Sequence, residues 1–163
     1  MPSNITLHDL IPTIKEVVES GGEATFVPNG RSMKPMLYGG RDKIILKKPN
    51  FPLNKYDIPL YVRADGTVVL HRIVKVVETQ NGRQYFMRGD NTWPLEKDVS
   101  EKDIVAVLSR FCRKGKWYDA NNKSHIAYAK TWCFLFPIRF ITYKCFNLLA
   151  IVIRKLCRII KGK

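Results

Sequence analysis

Thr67-Val68-Val69-Leu70-His71-Arg72-Ile73-Val74-Lys75-Val76-Val77 is a run of β-branched and apolar residues that decides the fold class. Such a run favours an extended strand, and the Asn81-Gly82 pair that follows is typical of a hairpin turn. A second strand over Arg83–Arg88 would return beside the first. If 67–77 is one continuous strand, its alternate residues from Val69 to Lys75, His71 included, lie on one face.

Further short strands surround this hairpin, separated by glycine, proline and asparagine turns. They are predicted at Glu23–Val27, Lys43–Lys48, Asp57–Val62, Ile104–Phe111 and Gly115–Asp119. No helical pattern interrupts them, so we expect a mainly β domain over residues 23–119, with an antiparallel sheet that is bent or partly closed into a barrel. Helical spacing of apolar residues predicts an amphipathic helix over Thr6–Ser20, which would pack on that domain.

Three short polar motifs lie at the ends of these extended segments. Ser32 is part of Gly30-Arg31-Ser32-Met33-Lys34-Pro35, His71 opens His71-Arg72-Ile73, and Asp90 is the centre of Gly89-Asp90-Asn91. A serine hydroxyl is a weak nucleophile at neutral pH and needs an adjacent base to take its proton. Histidine suits that task, and a carboxylate commonly orients the imidazole. The order of hydroxyl, imidazole and carboxylate therefore predicts nucleophilic catalysis by Ser32 with His71 as general base.

Together with Tyr56-Asp57-Ile58, these motifs resemble those of type I signal peptidases and the self-cleaving repressors related to them. The resemblance covers roughly residues 23–110 and implies a serine endopeptidase with the signal peptidase type of fold and Ser32 as its nucleophile. Most bacterial members have a lysine base at the position that His71 occupies here. The chain is thus similar to the serine–histidine branch known from the endoplasmic reticulum and from some Gram-positive bacteria.

Two acids are candidates for orienting His71. One is Asp90, which is equally suited to capping the turn that its own motif forms. The other is Glu96, at the position where the serine–histidine branch has a second acid, usually an aspartate. A glutamate accepts the same hydrogen bond, but its extra methylene moves the carboxylate. Both acids therefore remain candidates at this stage.

The resemblance also implies a substrate groove beside Ser32, with Gly30, Met33 and Pro35 among its residues and Met33 packed at its floor. Backbone N–H groups near Ser32 would form the oxyanion hole, because Gly30 permits a close approach of the chain. An extended polypeptide substrate would pair with an exposed strand edge. The family resemblance implies small side chains just before the scissile bond.

Positive charge is concentrated near the C-terminus. Residues 1–112 contain 16 Lys/Arg and 13 Asp/Glu residues, whereas residues 113–163 contain 12 Lys/Arg and one Asp/Glu. From residue 138, within a basic apolar tail over 120–163, the pattern predicts a basic amphipathic helix suited to the plane of an anionic membrane surface. Arg139 and Lys144 argue against a clean transmembrane span, although spanning and packing on a protein surface stay open. The apolar bulk of the tail argues against nucleic acid as its partner.

Neither the cysteines nor the N-terminal segment indicates a further site. The four cysteines form no Cys-x-x-Cys pair and lie at no metal-ligand spacing from a histidine, so we expect no metal and no cofactor. Residues 1–22 contain neither an apolar run long enough to cross a bilayer nor a signal-peptide core. We therefore expect a bacterial, membrane-associated serine endopeptidase at the cytoplasmic face, which cleaves signal, leader or propeptide segments.

Two other functions compete with this one. A self-cleaving repressor fits poorly, because only 31 residues precede Ser32 and the chain contains no Ala-Gly dipeptide for self-cleavage. A non-catalytic peptide-binding or membrane-adaptor domain that retains the peptidase fold stays open, because Glu96 replaces the usual aspartate.

Overall fold

A computed structural model describes residues 9–80 and 82–161 of the chain. The chain divides into two compact units, the first ending at Lys130 and the second beginning at Thr131. Within the described residues the elements are, in chain order, α1 (Ile11–Glu19), β1 (Ala24–Phe26), β2 (Lys43–Lys47), β3 (Pro59–Val62), β4 (Val68–Leu70), β5 (Arg72–Thr79), β6 (Gly82–Arg88), β7 (Glu96–Val99), β8 (Ile104–Arg113), β9 (Lys116–Asp119), α2 (Lys123–Phe134) and α3 (Phe136–Lys161).

Two antiparallel sheets make up the first unit, which confirms the mainly β prediction. The larger sheet has the order β1-β2-β8-β3-β4, with β9 paired to β8. The smaller sheet has the order β5-β6-β7. Among the described strands the larger sheet does not close into a barrel, so β1 and β4 remain at its two ends.

The larger sheet is covered on both faces, which gives the unit two hydrophobic cores. On β3, Leu60 belongs to the first core, which also contains Ile14 and Val18 of α1. The next residue, Tyr61, points the other way into the second core, beside Tyr85 of the smaller sheet. Successive side chains of a strand point to opposite faces of the sheet. Both faces of β3 are covered, which explains why its residues are apolar throughout.

The predicted continuous strand over 67–77 is wrong at its centre. β4 ends at Leu70 and pairs with β3, whereas β5 begins at Arg72 and pairs with β6. The chain therefore passes from one sheet to the other at His71, because the two halves of the run have different pairing partners. A register irregularity between Ile73 and Lys75 further breaks the predicted alternation.

The other local predictions differ from the structure mainly at their boundaries. The hairpin joins β5 to β6 as expected, with Thr79 paired to Gly82, while Asn81 lies outside the described residues. The predicted N-terminal helix is observed over Ile11–Glu19, and its first predicted residues, 6–8, also lie outside the described part. Strand β7 was not predicted, because Glu96-Lys97-Asp98-Val99 lacks an apolar pattern.

Two helices follow the strands. The predicted basic amphipathic helix is α3, which begins at Phe136, and α2 before it was not predicted. The beginning of α2 belongs to the first unit, where the His125 ring stacks on Phe111 at a centroid distance of 4.4 Å. Within the described residues no single helix is both long and apolar enough to cross a bilayer. The pair formed by α2 and α3 up to Ile151, bent by 51°, meets both conditions by length and composition alone.

Candidate active site

His71 occupies the corner where the chain leaves the larger sheet for the smaller one. His71 is only 3% exposed. Leu70, just before it, packs in the first core, and Ile73, two residues after it, packs in the second. The backbone N–H of His71 donates to the carbonyl of Pro59 on β3 at 3.4 Å. The imidazole is therefore placed by packing on both sides and has little freedom to move.

Glu96 is the acid that contacts this imidazole. The distance between His71 Nδ1 and Glu96 Oε1 is 2.7 Å, which is a short hydrogen bond. Glu96 begins β7, where it pairs with Met87 of β6. Pairing between β6 and β7 thus places the Glu96 carboxylate beside the imidazole, although Glu96 is 25 residues further along the chain than His71.

The carboxylate of Glu96 is held as an anion by several donors. Burial alone would raise the pKa of Glu96, but hydrogen bonds from Arg63, His71 and Tyr61 outweigh that effect and hold its pKa far below the usual range. At neutral pH Glu96 can therefore only accept hydrogen bonds. It follows that the hydrogen between Glu96 and His71 resides on Nδ1, which leaves Nε2 of a neutral imidazole as an acceptor.

Nε2 of His71 and the backbone of the Ser32 loop both adjoin Gly89. A Cβ built on Gly89 would be 2.6 Å from the carbonyl oxygen of Ser32 and 2.9 Å from Nε2 of His71. The Ser32 carbonyl oxygen and Nε2 of His71 therefore both lie close to the same position beside Gly89, at most about 5.5 Å from each other. Among the described contacts, no hydrogen bond joins the Ser32 hydroxyl to the imidazole. Catalytic hydrogen bonds are often long in the absence of substrate and shorten when it binds.

Asn91 ties the Ser32 loop to the Gly89 turn. Its backbone N–H donates to the Ser32 carbonyl at 2.7 Å, and its side-chain amide donates to the carbonyl of Arg31 at 3.2 Å. The turn itself is closed by Thr92, whose N–H donates to the carbonyl of Gly89. The Gly-Asp-Asn motif thus positions the Ser32 loop through its glycine and its asparagine.

Asp90, the other candidate acid, is engaged elsewhere. Both of its carboxylate oxygens accept from Arg72, Oδ1 from Nε and Oδ2 from Nη2, each at 2.8 Å. Both side chains are almost completely buried, and the Tyr128 hydroxyl of α2 donates to Asp90 at 3.3 Å. The sequence left Asp90 and Glu96 open as partners of His71. The structure places Glu96 against the imidazole of His71. Asp90 instead forms a buried ion pair with Arg72, the residue that follows His71.

A cleft of about 100 Å³ opens beside Ser32. It is lined by both ends of the larger sheet, with Phe26 of β1 on one side and residues 68–70 of β4 on the other. Gly30 and Met33 are among its lining residues, and Met33 is buried with its side chain in the first core. Pro35 is half-buried in the same loop but is not among the lining residues.

Gly30 has a positive φ of 96°, which favours glycine. A Cβ on Gly39 would lie 2.3 Å from the carbonyl oxygen of Gly30, so two glycines allow the loop to close on itself beside Ser32.

Three residues of the site were not predicted as functional. Tyr61 and Arg63, on and just after β3, donate to Glu96, and Gly89 separates Ser32 from His71. Tyr61 belonged to a predicted strand, and Arg63 resembled an ordinary solvated charge. No local sequence signal marked these residues, because their contacts with Glu96 and His71 arise only in the tertiary fold.

Metal ligands are not indicated. Within the described residues, no group of three or more histidine, cysteine or acidic side chains is arranged to hold a metal ion. The cysteines at 112, 133 and 145 are free thiols.

Comparisons with known proteins assign no family to the chain. No protein-family model matches it, and no curated protein matches it significantly. The chemistry of the site must therefore be argued from its own residues.

Replacing Asp90 by asparagine should destabilise the fold. Removing one partner of a buried ion pair leaves the other charge uncompensated and costs about 3–5 kcal/mol. We expect a loss of that size in the free energy of unfolding of Asp90→Asn, measured by urea denaturation. Glu78→Gln is the control, because Glu78 pairs with Arg83 at the exposed surface. An Asp90→Asn variant as stable as the wild type would contradict this structural role.

Replacing Gly89 by alanine should separate nucleophile and base. Gly89 has no positive φ, so alanine is acceptable to the backbone and the clash with Ser32 and His71 is purely steric. A displacement of 1 Å within a catalytic group costs about 100-fold in rate. If Ser32 and His71 act together as the sequence predicts, Gly89→Ala should lower kcat by about that factor. Because a backbone oxygen must move, the free energy of unfolding should also fall by about 1–3 kcal/mol. A folded Gly89→Ala variant with wild-type kcat would contradict the proximity of Ser32 and His71.

Proposed function

We propose that the chain is a membrane-associated serine endopeptidase of the signal peptidase kind, with Ser32 as nucleophile and His71 as general base. One observation carries the proposal: Nε2 of a buried histidine adjoins the Ser32 loop across Gly89, while a carboxylate binds Nδ1. The resemblance of the motifs around Ser32, His71 and Asp90 supports the same reaction.

The reaction follows from the roles of these groups. His71 Nε2 takes the Ser32 hydroxyl proton as Oγ bonds to the scissile carbonyl carbon. The negative oxygen that forms is stabilised by backbone N–H groups of the Ser32 loop. His71 then gives its proton to the departing amine, which breaks the peptide bond and leaves an acyl-enzyme. Water, deprotonated by His71, releases the acid product and restores Ser32.

The substrate proposed is an extended polypeptide with small residues before the scissile bond. The cleft beside Ser32 has a volume of only about 100 Å³, which favours small side chains over bulky ones. β1 and β4, the edge strands of the larger sheet among the described strands, both line this cleft. A peptide between them can pair its backbone with either strand, as in strand addition. Signal, leader and propeptide segments satisfy these requirements.

Attachment to an anionic membrane surface through α3 is part of the proposal. Ile138, Ile141, Leu148 and Leu149 of this helix are 55–63% exposed. On a helical projection they share one side, whereas Arg139, Lys144 and Arg154 lie on the other. Such a helix lies in the plane of the membrane interface, with its apolar face toward the acyl chains and its cations near the lipid phosphates. We infer a site of action at the cytoplasmic face, where anionic lipids attract basic segments.

Loss of the Ser32 hydroxyl should abolish cleavage. We expect new peptide N-termini, each preceded by small residues, in cells that express the wild-type chain but not in cells that express Ser32→Ala or His71→Ala. N-terminal peptide mass spectrometry at matched protein levels measures this. Ser109→Ala is the control, since it removes the hydroxyl of another serine, which contacts Glu23. Identical N-terminal profiles for the wild type and Ser32→Ala would favour a non-catalytic peptide-binding or adaptor domain.

Membrane attachment should depend on both faces of α3. The full chain should co-sediment with vesicles that contain phosphatidylglycerol more strongly than with pure phosphatidylcholine. Each of Arg139→Gln and Lys144→Gln should weaken binding by about fivefold at low salt, since a cation near the leaflet contributes about 1 kcal/mol. Ile141→Glu should weaken binding to both kinds of vesicle. Phe51→Ser, an exposed apolar residue outside α3, is the control. Equal binding by all variants would exclude α3 as the attachment.

A further inference from the structure

The carboxylate of Glu96 is held on both of its oxygens by Arg63. The Arg63 guanidinium donates from Nε to Oε2 and from Nη2 to Oε1, each at 2.7 Å. This two-point contact fixes the plane of the carboxylate, which a single hydrogen bond would leave free to rotate. The backbone of Arg63 is itself anchored in the β3–β4 turn, where its N–H donates to the carbonyl of Thr67 at 2.9 Å.

Tyr61 provides a third donor to the same carboxylate. Its hydroxyl donates to Oε2 of Glu96 at 2.6 Å and lies 3.4 Å from Nδ1 of His71. The residue is completely buried in the second core. Burial, together with the hydrogen bond to Glu96, raises the pKa of the Tyr61 hydroxyl far above its usual value, so the hydroxyl remains a donor at every physiological pH.

We propose that Arg63 and Tyr61 are positioning residues, which hold Oε1 of Glu96 against Nδ1 of His71 so that Nε2 stays free to act as the base. This inference rests on the proposed peptidase function. Oε2 already accepts from both Arg63 Nε and Tyr61, whereas Oε1 accepts only from Arg63 Nη2 among these donors and so keeps a lone pair for Nδ1 of His71. His71 can then satisfy Glu96 only by donating from Nδ1.

The need for two such residues follows from the choice of glutamate. A glutamate side chain has one more rotatable bond than an aspartate, so its carboxylate has more positions to adopt. Arg63 and Tyr61 remove that freedom. Arg63 also supplies a positive charge that balances the Glu96 anion, which lowers the cost of placing a carboxylate in a partly buried site.

The tautomer of His71 tests this inference without any reference to cleavage. In the full ¹⁵N-labelled chain, the ring nitrogens of a neutral His71 should show a protonated Nδ1 and a bare Nε2. The chain has only three histidines, so a His71→Ala spectrum identifies the signals. Arg63→Gln and Tyr61→Phe should shift the ring toward a mixture of tautomers. Arg83→Gln is the matched control, because Arg83 pairs with an exposed glutamate elsewhere.

Kinetics provide the second measurement. A general base contributes about 10²–10⁴-fold to the rate, and part of that is lost when its tautomer is mixed. We expect Arg63→Gln to lower kcat by about tenfold or more with KM nearly unchanged, since neither Arg63 nor Tyr61 lines the cleft beside Ser32. Arg63→Lys keeps the charge but loses the planar two-point contact, so it should not restore kcat fully.

The outcomes separate the two proposals. A wild-type chain without any Ser32-dependent cleavage would refute the peptidase, and the tautomer alone would then decide whether Arg63 and Tyr61 position Glu96. A folded Arg63→Gln variant with a single Nδ1-protonated tautomer and wild-type kcat would refute the positioning role. If Arg63→Gln does not fold, Arg63→Lys and Tyr61→Phe decide by the same two readouts.

Discussion

The transfer of the chain from one sheet to the other at His71 is the constraint on which the rest of this structure depends. A strand that changes sheets must turn within a residue or two, and the turning residue is enclosed by both cores. Leu70 and Ile73 secure the two sides of this turn by burial in different cores. His71 therefore acquires a fixed orientation as a result of the packing that stabilises the fold. The site and the hydrophobic interior are formed by the same contacts.

Local patterns allowed much of the fold to be predicted. The apolar strands and the hairpin after residue 77 follow from residue types and turn signals that act over a few positions. β7 could not be predicted in this way, because Glu96, Lys97 and Asp98 form a strand only through pairing with β6. The break at His71 was missed for the same reason. Nothing in a run of valines shows that its two halves pair with different strands.

The site shows the same division between local and non-local information. The motifs around Ser32 and His71 indicated a nucleophile and a base. The acid was undecided, because Asp90 and Glu96 are only six positions apart in sequence and their partners are remote. The structure assigns Arg72 to Asp90, and it assigns His71, Arg63 and Tyr61 to Glu96. Each acid is near a different cation, and only the tertiary fold determines which.

The presence of two cores has a consequence for quality control in the cell. The Ser32 loop includes Met33 of the first core, and Glu96 is carried by β7, whose Val99 belongs to the second. Opening of the first core would displace Ser32, and opening of the second would displace Glu96. Either event would therefore break up the arrangement of Ser32, His71 and Glu96. Under the proposed peptidase function, a molecule with either core open would be inactive, because the proposed nucleophile, base and acid would no longer be assembled. Cleavage of other proteins by a misfolded copy would then be prevented by the fold itself.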